Sequence, residues 1–166
     1  MLKKVRIRIL SDRYRVEGSL FEGGAVSEPR VPEAPEHAEM CVEGNYLDNG
    51  SRVSITYKES ELTGLTGSVA TVSFQKSEPG VISMLRSGSV KTALVFERGR
   101  RHHCVYQTPI MPFDVCVHTA RVENALEGAG TLLLDYTVEI RGADPERTRM
   151  QLSLLPVFDA PQGDKQ

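Results

Sequence analysis

The run "TLLLDYTVEI", Thr131 to Ile140, reads in steps of two. Leu132, Leu134, Tyr136, Val138 and Ile140 fall on one side, and Asp135, Thr137 and Glu139 on the other, with Arg141 next in that row. Side chains two apart on an extended chain point the same way, so this is a strand with one apolar and one polar face. A helical face would instead need apolar residues three and four apart.

The same period recurs along the chain. "KKVRIRI" sets Val5, Ile7 and Ile9 against Lys4, Arg6 and Arg8, and "RVSITY" sets Val53, Ile55 and Tyr57 against Arg52, Ser54 and Thr56. "SVKTALVF" aligns Val90, Leu94 and Phe96 with Thr92 between them. "FDVCVHTARV" puts Phe113, Val115, Val117 and Thr119 on one face, and Asp114, Cys116 and His118 on the other. "MQLSLLPVF" brings Met150, Leu152 and Leu154 to Pro156. Turn signals separate these runs, at Asp48–Ser51, Thr63–Gly67, Ser77–Gly80, Arg86–Gly88 and Glu97–Arg101. Asn49-Gly50 is a strong hairpin signal, because a two-residue primed turn needs positive φ. Strands at this spacing, with no amphipathic helix between them, predict an all-β antiparallel meander, closed as a barrel or stacked as a sandwich.

A chain of 166 residues is the size of one domain and can bury a core without disulfides or metals. The expected domain runs over residues 1–160, with 161–166 a disordered tail. Residues 11–37 are rich in Gly, Pro and Glu and lack a period; they read as a long loop or lid, with a short strand near Tyr14–Val16. A net charge of −2 gives no reason to expect nucleic acid or an anionic membrane as partner. Cys41, Cys104 and Cys116 are odd in number and widely spaced, unlike a secreted disulfide framework. The basic start alternates charged and apolar residues and lacks the apolar run of roughly 7–15 residues that a signal peptide needs. No run approaches the length of about 18 apolar residues expected of a membrane helix. A reduced, cytoplasmic protein is the default expectation. A homo-oligomer is compatible with the sequence, but nothing in it calls for one.

Several pieces, in order, resemble a known family. They are "EGNYL" (Glu43–Leu47), "SITYKESELTGLTGSVATV" (Ser54–Val72), "MLRSGSVKTALVF" (Met84–Phe96), "YQTP" (Tyr106–Pro109) with Thr119 following, and "LLLDYTVEI" (Leu132–Ile140). Together they resemble the YwiB-like family of uncharacterised bacterial proteins. The resemblance implies a calycin-like, lipocalin-type up-and-down β-barrel of about 8 to 10 strands. It supplies no catalytic mechanism. One departure stands out: where the family tends to carry an aromatic residue and a glycine after the Thr-Pro, this chain has Ile110 and Met111 before Pro112.

Chemical handles are few. Glu59 and Glu61 continue the row of Tyr57 toward one barrel mouth, where two carboxylates could bind a polar group or share a proton. The plainer alternative is a solvated strand end. Arg86 is their natural partner, since a guanidinium holds a carboxylate through parallel hydrogen bonds; it could equally face a ligand. Tyr57, Tyr106, Thr108 and Tyr136 are polar handles on otherwise apolar inner rows. The candidate ligand-binding set is therefore Tyr57, Glu59, Glu61, Arg86, Tyr106, Thr108 and Tyr136, with no residue assigned to catalysis. The basic stretch Arg98, Arg100, Arg101, His102 and His103 reads as a solvated hairpin tip. A zinc site from Cys104, His102, Cys116 and His118 would need Cys104 opposite Cys116, and the strand faces set the two pairs on opposite sides. Neither metal nor cofactor is expected.

Three functions follow, in order. The first is a non-enzymatic barrel binding a small, partly apolar molecule, with the 11–37 segment as lid. The second is a protein-interaction module with a filled barrel. The third is an enzyme using Glu59, Glu61, Arg86 and His102 at one mouth.

Overall fold

The computed structural model describes residues 2–21, 24–29, 34–59, 68–88 and 90–155. It is an all-β molecule, with twelve strands among the described residues: β1 (Leu2–Arg15), β2 (Glu17–Gly18), β3 (Val26–Ser27), β4 (Glu36–Asp48), β5 (Arg52–Lys58), β6 (Val69–Gln75), β7 (Val81–Ser87), β8 (Thr92–Glu97), β9 (Arg101–Gln107), β10 (Pro112–Ala125), β11 (Thr131–Ile140) and β12 (Glu146–Leu155). Ten of them form one antiparallel sheet in the order β8-β7-β6-β5-β4-β1-β12-β11-β10-β9, and β2 and β3 pair separately. Neighbours in the sheet are neighbours in sequence except where β1 joins β4, with β2 and β3 set aside between them, and where β1 joins β12, along a ladder from Arg6↔Leu155 to Arg15↔Glu146. The sheet curls into a nearly closed up-and-down barrel. Its two ends, β8 and β9, meet through a pair of backbone hydrogen bonds between Lys91, just before β8, and Gln107 of β9, while the tip between them bonds to β10 through Gly99 N–H donating to Thr119 O.

The period of two fills the barrel. Val5, Ile7 and Ile9 of β1, Val53, Ile55 and Tyr57 of β5, Leu94 and Phe96 of β8, Val115 and Val117 of β10, Leu132 and Leu134 of β11, and Met150 and Leu152 of β12 are all buried in one core. Curling the sheet brings its two edge strands, β8 and β9, side by side, which shields edges that would otherwise recruit other chains. Two small residues make room in this wall. A Cβ on Gly44 would lie 2.6 Å from Ile7 Cδ1 and 3.2 Å from Tyr57 Cβ, so the glycine lets its neighbours on β1 and β5 meet across β4. Ala70, fully buried opposite Tyr57 on one side and Arg86 on the other, does the same for β6.

The 11–37 segment departs from its expected form. Ser11 to Arg15 continue β1, pairing with β12 on one side and, through Arg13, with β4 on the other. Of the described residues that follow, Glu17–Gly18 and Val26–Ser27 form the β2–β3 ladder, Leu20 and Phe21 pack on the outer face of the barrel at β10 and β11, and Glu28 reaches Tyr14 and Arg147. Leu20 and Phe21 cover Cys116, which is buried on the outer side of β10. Beneath them Glu139, also outward-facing and buried, accepts hydrogen bonds from Leu20 N–H and the Ser19 hydroxyl. Arg101 donates to the carbonyls of Leu20 and Gly24. Arg101 is therefore a clamp rather than part of a solvated tip.

The Asn49-Gly50 hairpin forms with Gly50 at φ +95°. It is wider than two residues: Asp48 pairs with Val53, and the Asn49 side-chain oxygen accepts from the backbone of Ser51 and Arg52. The predicted Thr63–Gly67 turn, Glu61, Pro156 and the 161–166 tail lie outside the described residues.

Candidate functional site

The half of the barrel toward the β9–β10 and β11–β12 turns is hollow. A cavity of about 280 Å3 opens there, walled by β1, β4, β5 and β7–β12. The other half carries fully buried side chains, among them Ile7, Val53, Ile82, Phe96, Leu132 and Leu152. Phe96 packs against Tyr136 at 4.5 Å between ring centroids, with the ring planes tilted by 49°. The apolar wall includes Ile9, Met40, Leu94, Val115, Val138 and Met150.

The polar end is built by register. Tyr57, Ala70, Arg86 and Thr92 lie in one row across β5 to β8. Ala70 carries too little side chain to separate Tyr57 from Arg86. One step further along β5, Glu59 closes the strand by donating its N–H to Ser68 O at 2.8 Å. Arg86 reaches diagonally to it, with Nε 2.9 Å from Glu59 Oε1. Glu59 is shut away, its side chain 1% exposed, while that of Arg86 is 23% exposed. Glu59 Oε2 and Ser68 Oγ are buried and have no hydrogen-bond partner among the described residues. Gly88 makes this corner tight: at φ +149° it passes so close to Ser68 that a Cβ would stand 2.9 Å from Ser68 Cα.

A half-used buried carboxylate is unusual inside a protein, because an unsatisfied buried polar atom costs about 1–3 kcal/mol. Burial alone would lower the Arg86 pKa, but the hydrogen bond and charge of Glu59 outweigh it and hold the arginine above its usual value. Burial pushes the Tyr57 phenol far up, with the Glu59 charge adding to it, and burial likewise raises Tyr136. Both tyrosines are therefore neutral hydroxyls at ordinary pH, suited to hydrogen bonding and not to proton abstraction.

Of the residues named from sequence, Tyr57, Glu59, Arg86, Tyr106 and Tyr136 line this cavity together. Glu61 is not among the described residues. Thr108 lies elsewhere. In the β9–β10 turn its hydroxyl accepts from Ile110 and Met111 N–H and donates to Met111 O, a local brace for a turn that lacks glycine. His102 is not at this mouth either: it meets Glu97 at the other end of β9, at 3.2 Å. Sequence reasoning missed Ser11, Arg13, Glu146 and Thr148, which continue the inner rows of β1 and β12 to the cavity. Period two extended past the last apolar residue of each run would have found them.

The zinc site considered from sequence needs Cys104 opposite Cys116, and the ladder has a different register. The register sets Cys116 opposite His103 and Cys104 opposite Val115. Among the described residues no three His, Cys, Asp or Glu side chains gather as metal ligands, and no helix is long and apolar enough to cross a membrane.

A ten-stranded up-and-down barrel with a hollow mouth and a buried apolar core defines a calycin-like barrel protein. The chain belongs to the family described as "Domain of unknown function (DUF1934)", whose model matches residues 27–152. Its structure is similar to the crystal structure of the ywiB protein from Bacillus subtilis, with a TM-score of 0.61 over 93% of this chain and 96% of that one, at 15% identity. That likeness is one of fold. No curated protein matches the sequence.

Proposed function

We propose that this protein is a non-enzymatic barrel that takes a small, partly apolar molecule into its hollow half. The observation that carries this reading is the cavity itself: about 280 Å3, near the lower end of the range for small-molecule sites, about 300–1,000 Å3. Its lining has the composition of such sites, an apolar wall with a few converging polar groups at one end. Tyr57, Glu59, Arg86, Tyr106 and Tyr136 are the side chains proposed to meet the ligand. A reducing, cytoplasmic setting suits three cysteines that are all free thiols.

Native mass spectrometry of protein purified from its own host tests this. A co-purifying mass is expected, and it should vanish in Thr148→Phe, which fills the cavity from β12. A clean apo mass that does not shift after incubation in host extract would sink the proposal.

A further inference from the structure

The polar corner constrains the chemistry of what enters, and this inference rests on the cavity-binding reading above. Glu59 offers one free acceptor, Oε2, shielded from bulk water. Arg86 uses Nε on Glu59, and its two Nη groups make no hydrogen bond among the described residues. The two side chains lie side by side and cancel in charge. A carboxylate ligand would meet the free donors of Arg86 but face the carboxylate of Glu59. An ammonium would satisfy Glu59 but face the guanidinium. In a desolvated site either leaves one charge uncompensated, and that cost is large.

We infer that the head group recognised here is neutral and carries an N–H donor and a C=O acceptor on neighbouring atoms, as in a primary carboxamide or a lactam, on an apolar body. Its C=O would accept from an Arg86 Nη, its N–H would donate to Glu59 Oε2 once that side chain turns its buried oxygen toward the hollow, and its hydrocarbon would lie against Leu94, Val115 and Met150. The Tyr57 hydroxyl, in the same row as Arg86 and likewise without a hydrogen-bond partner among the described residues, stands ready for the second N–H or lone pair. A site built from buried donors and acceptors rejects an analogue that leaves one of them unpaired much more strongly than an apolar pocket rejects a missing methylene.

Five probes of similar bulk test the inference by NMR titration: hexanamide, N,N-dimethylhexanamide, hexanoate, hexylammonium and cyclohexane. The last has no head group and reports on the apolar wall alone. The expected result is that hexanamide binds at least tenfold tighter than the other three hexyl compounds. Glu59→Gln, which replaces the free acceptor by a donor and leaves Arg86 uncancelled, should then favour hexanoate over hexanamide with cyclohexane unchanged. If Glu59→Gln loses the native spectrum, Arg86→Lys, which keeps the charge but not the fork, makes the same comparison, and hexanamide should lose its preference. Affinities within about threefold across the hexyl compounds, or a preference for hexanoate in the wild type, would overturn the head-group inference and leave cavity binding standing. No shift at cavity residues with any probe, cyclohexane included, would overturn both.

Discussion

Glu59 and Arg86 hold each other in place at the mouth of the barrel, and the stability of the corner depends on both. Glu59→Ala leaves the guanidinium without its counter-charge in a mostly buried position. Breaking one side of such a pair costs about 3–5 kcal/mol. Urea denaturation should show a loss near the lower end of that range, because Arg86 keeps partial access to water. The double variant Glu59→Ala/Arg86→Met should be less destabilised than the sum of the two single variants; simple additivity would mean the pair is uncoupled. A second pair gives a pH signature. Arg147 holds Asp135 in a two-pronged bond, Nε to Oδ1 and Nη2 to Oδ2, both 2.8 Å. Burial would raise the Asp135 carboxyl, but Arg147, with Arg149 behind it, keeps it below the usual value. A carboxyl lowered by folding adds stability that is complete above its unfolded pKa of about 3.9 and fades as pH falls through its folded value. Asp135→Asn should therefore cost on the order of 1 kcal/mol at pH 7, and the gap from wild type should narrow as pH drops below about 4. A gap constant from pH 7 to pH 2 would contradict this. Glu59 was legible from the strand period, which carries on the row of Tyr57. Arg86 was legible only as a chemical partner: its stretch reads as a turn from sequence, while β7 runs on to Ser87 and sets Arg86 on the row of Ile82 and Met84. The place of Thr108 was not: an alternating pattern carried one residue too far cannot tell a wall position from the first residue of a turn.

At the scale of elements, the outward faces hold the lesson. Glu139 and Cys116 occupy the polar side of β11 and β10, where side chains ordinarily meet water, yet both are buried because the segment carrying Leu20 and Phe21 lies over them. The alternation fixes which way a side chain points, but what lies on that side is decided by a distant piece of chain. The signal in the sequence was small: Leu20-Phe21, an apolar pair inside a stretch of Gly, Pro and Glu too irregular to reveal a partner. The backbone of this segment is tied down by Glu139 from below and by Arg101 from the side. In a Cys41→Ser background, Cys116 should react slowly with a thiol reagent, since it is covered and burial raises its pKa. Arg101→Ala should speed that reaction at least tenfold while the barrel keeps its native circular dichroism. Unchanged protection would mean that Leu20 and Phe21 hold the segment alone.

Across the whole molecule, the barrel is closed strongly in one place and weakly in another. The chain ends are joined by the long β1–β12 ladder, which pairs ten residues of each strand. Recurring hairpins made that meander legible, and closure follows from the need to cover both outer edges. The seam between β8 and β9 is different. These strands are consecutive and joined by a short tip, yet between the tip and the Lys91–Gln107 pair no backbone hydrogen bond crosses from one to the other among the described residues. Side chains span the gap in part: Cys104 lies 4.0 Å from the Thr92 hydroxyl, and His102 reaches Glu97 at 3.2 Å. Thr92, Leu94 and Tyr106 on its two banks also line the cavity, so the weakest line in the wall runs beside the hollow half. Opening free energies vary across a fold with the density of its backbone bonding. Amide hydrogen exchange should accordingly show the seam-facing amides of β8 and β9 exchanging at least tenfold faster than amides of the β1–β12 ladder. A molecule taken into the cavity, touching both banks, should slow the seam amides while leaving the ladder unchanged. Equal protection at seam and ladder in the free protein would mean that β8 and β9 are bonded along their length in solution, and that the barrel has no preferred place to open.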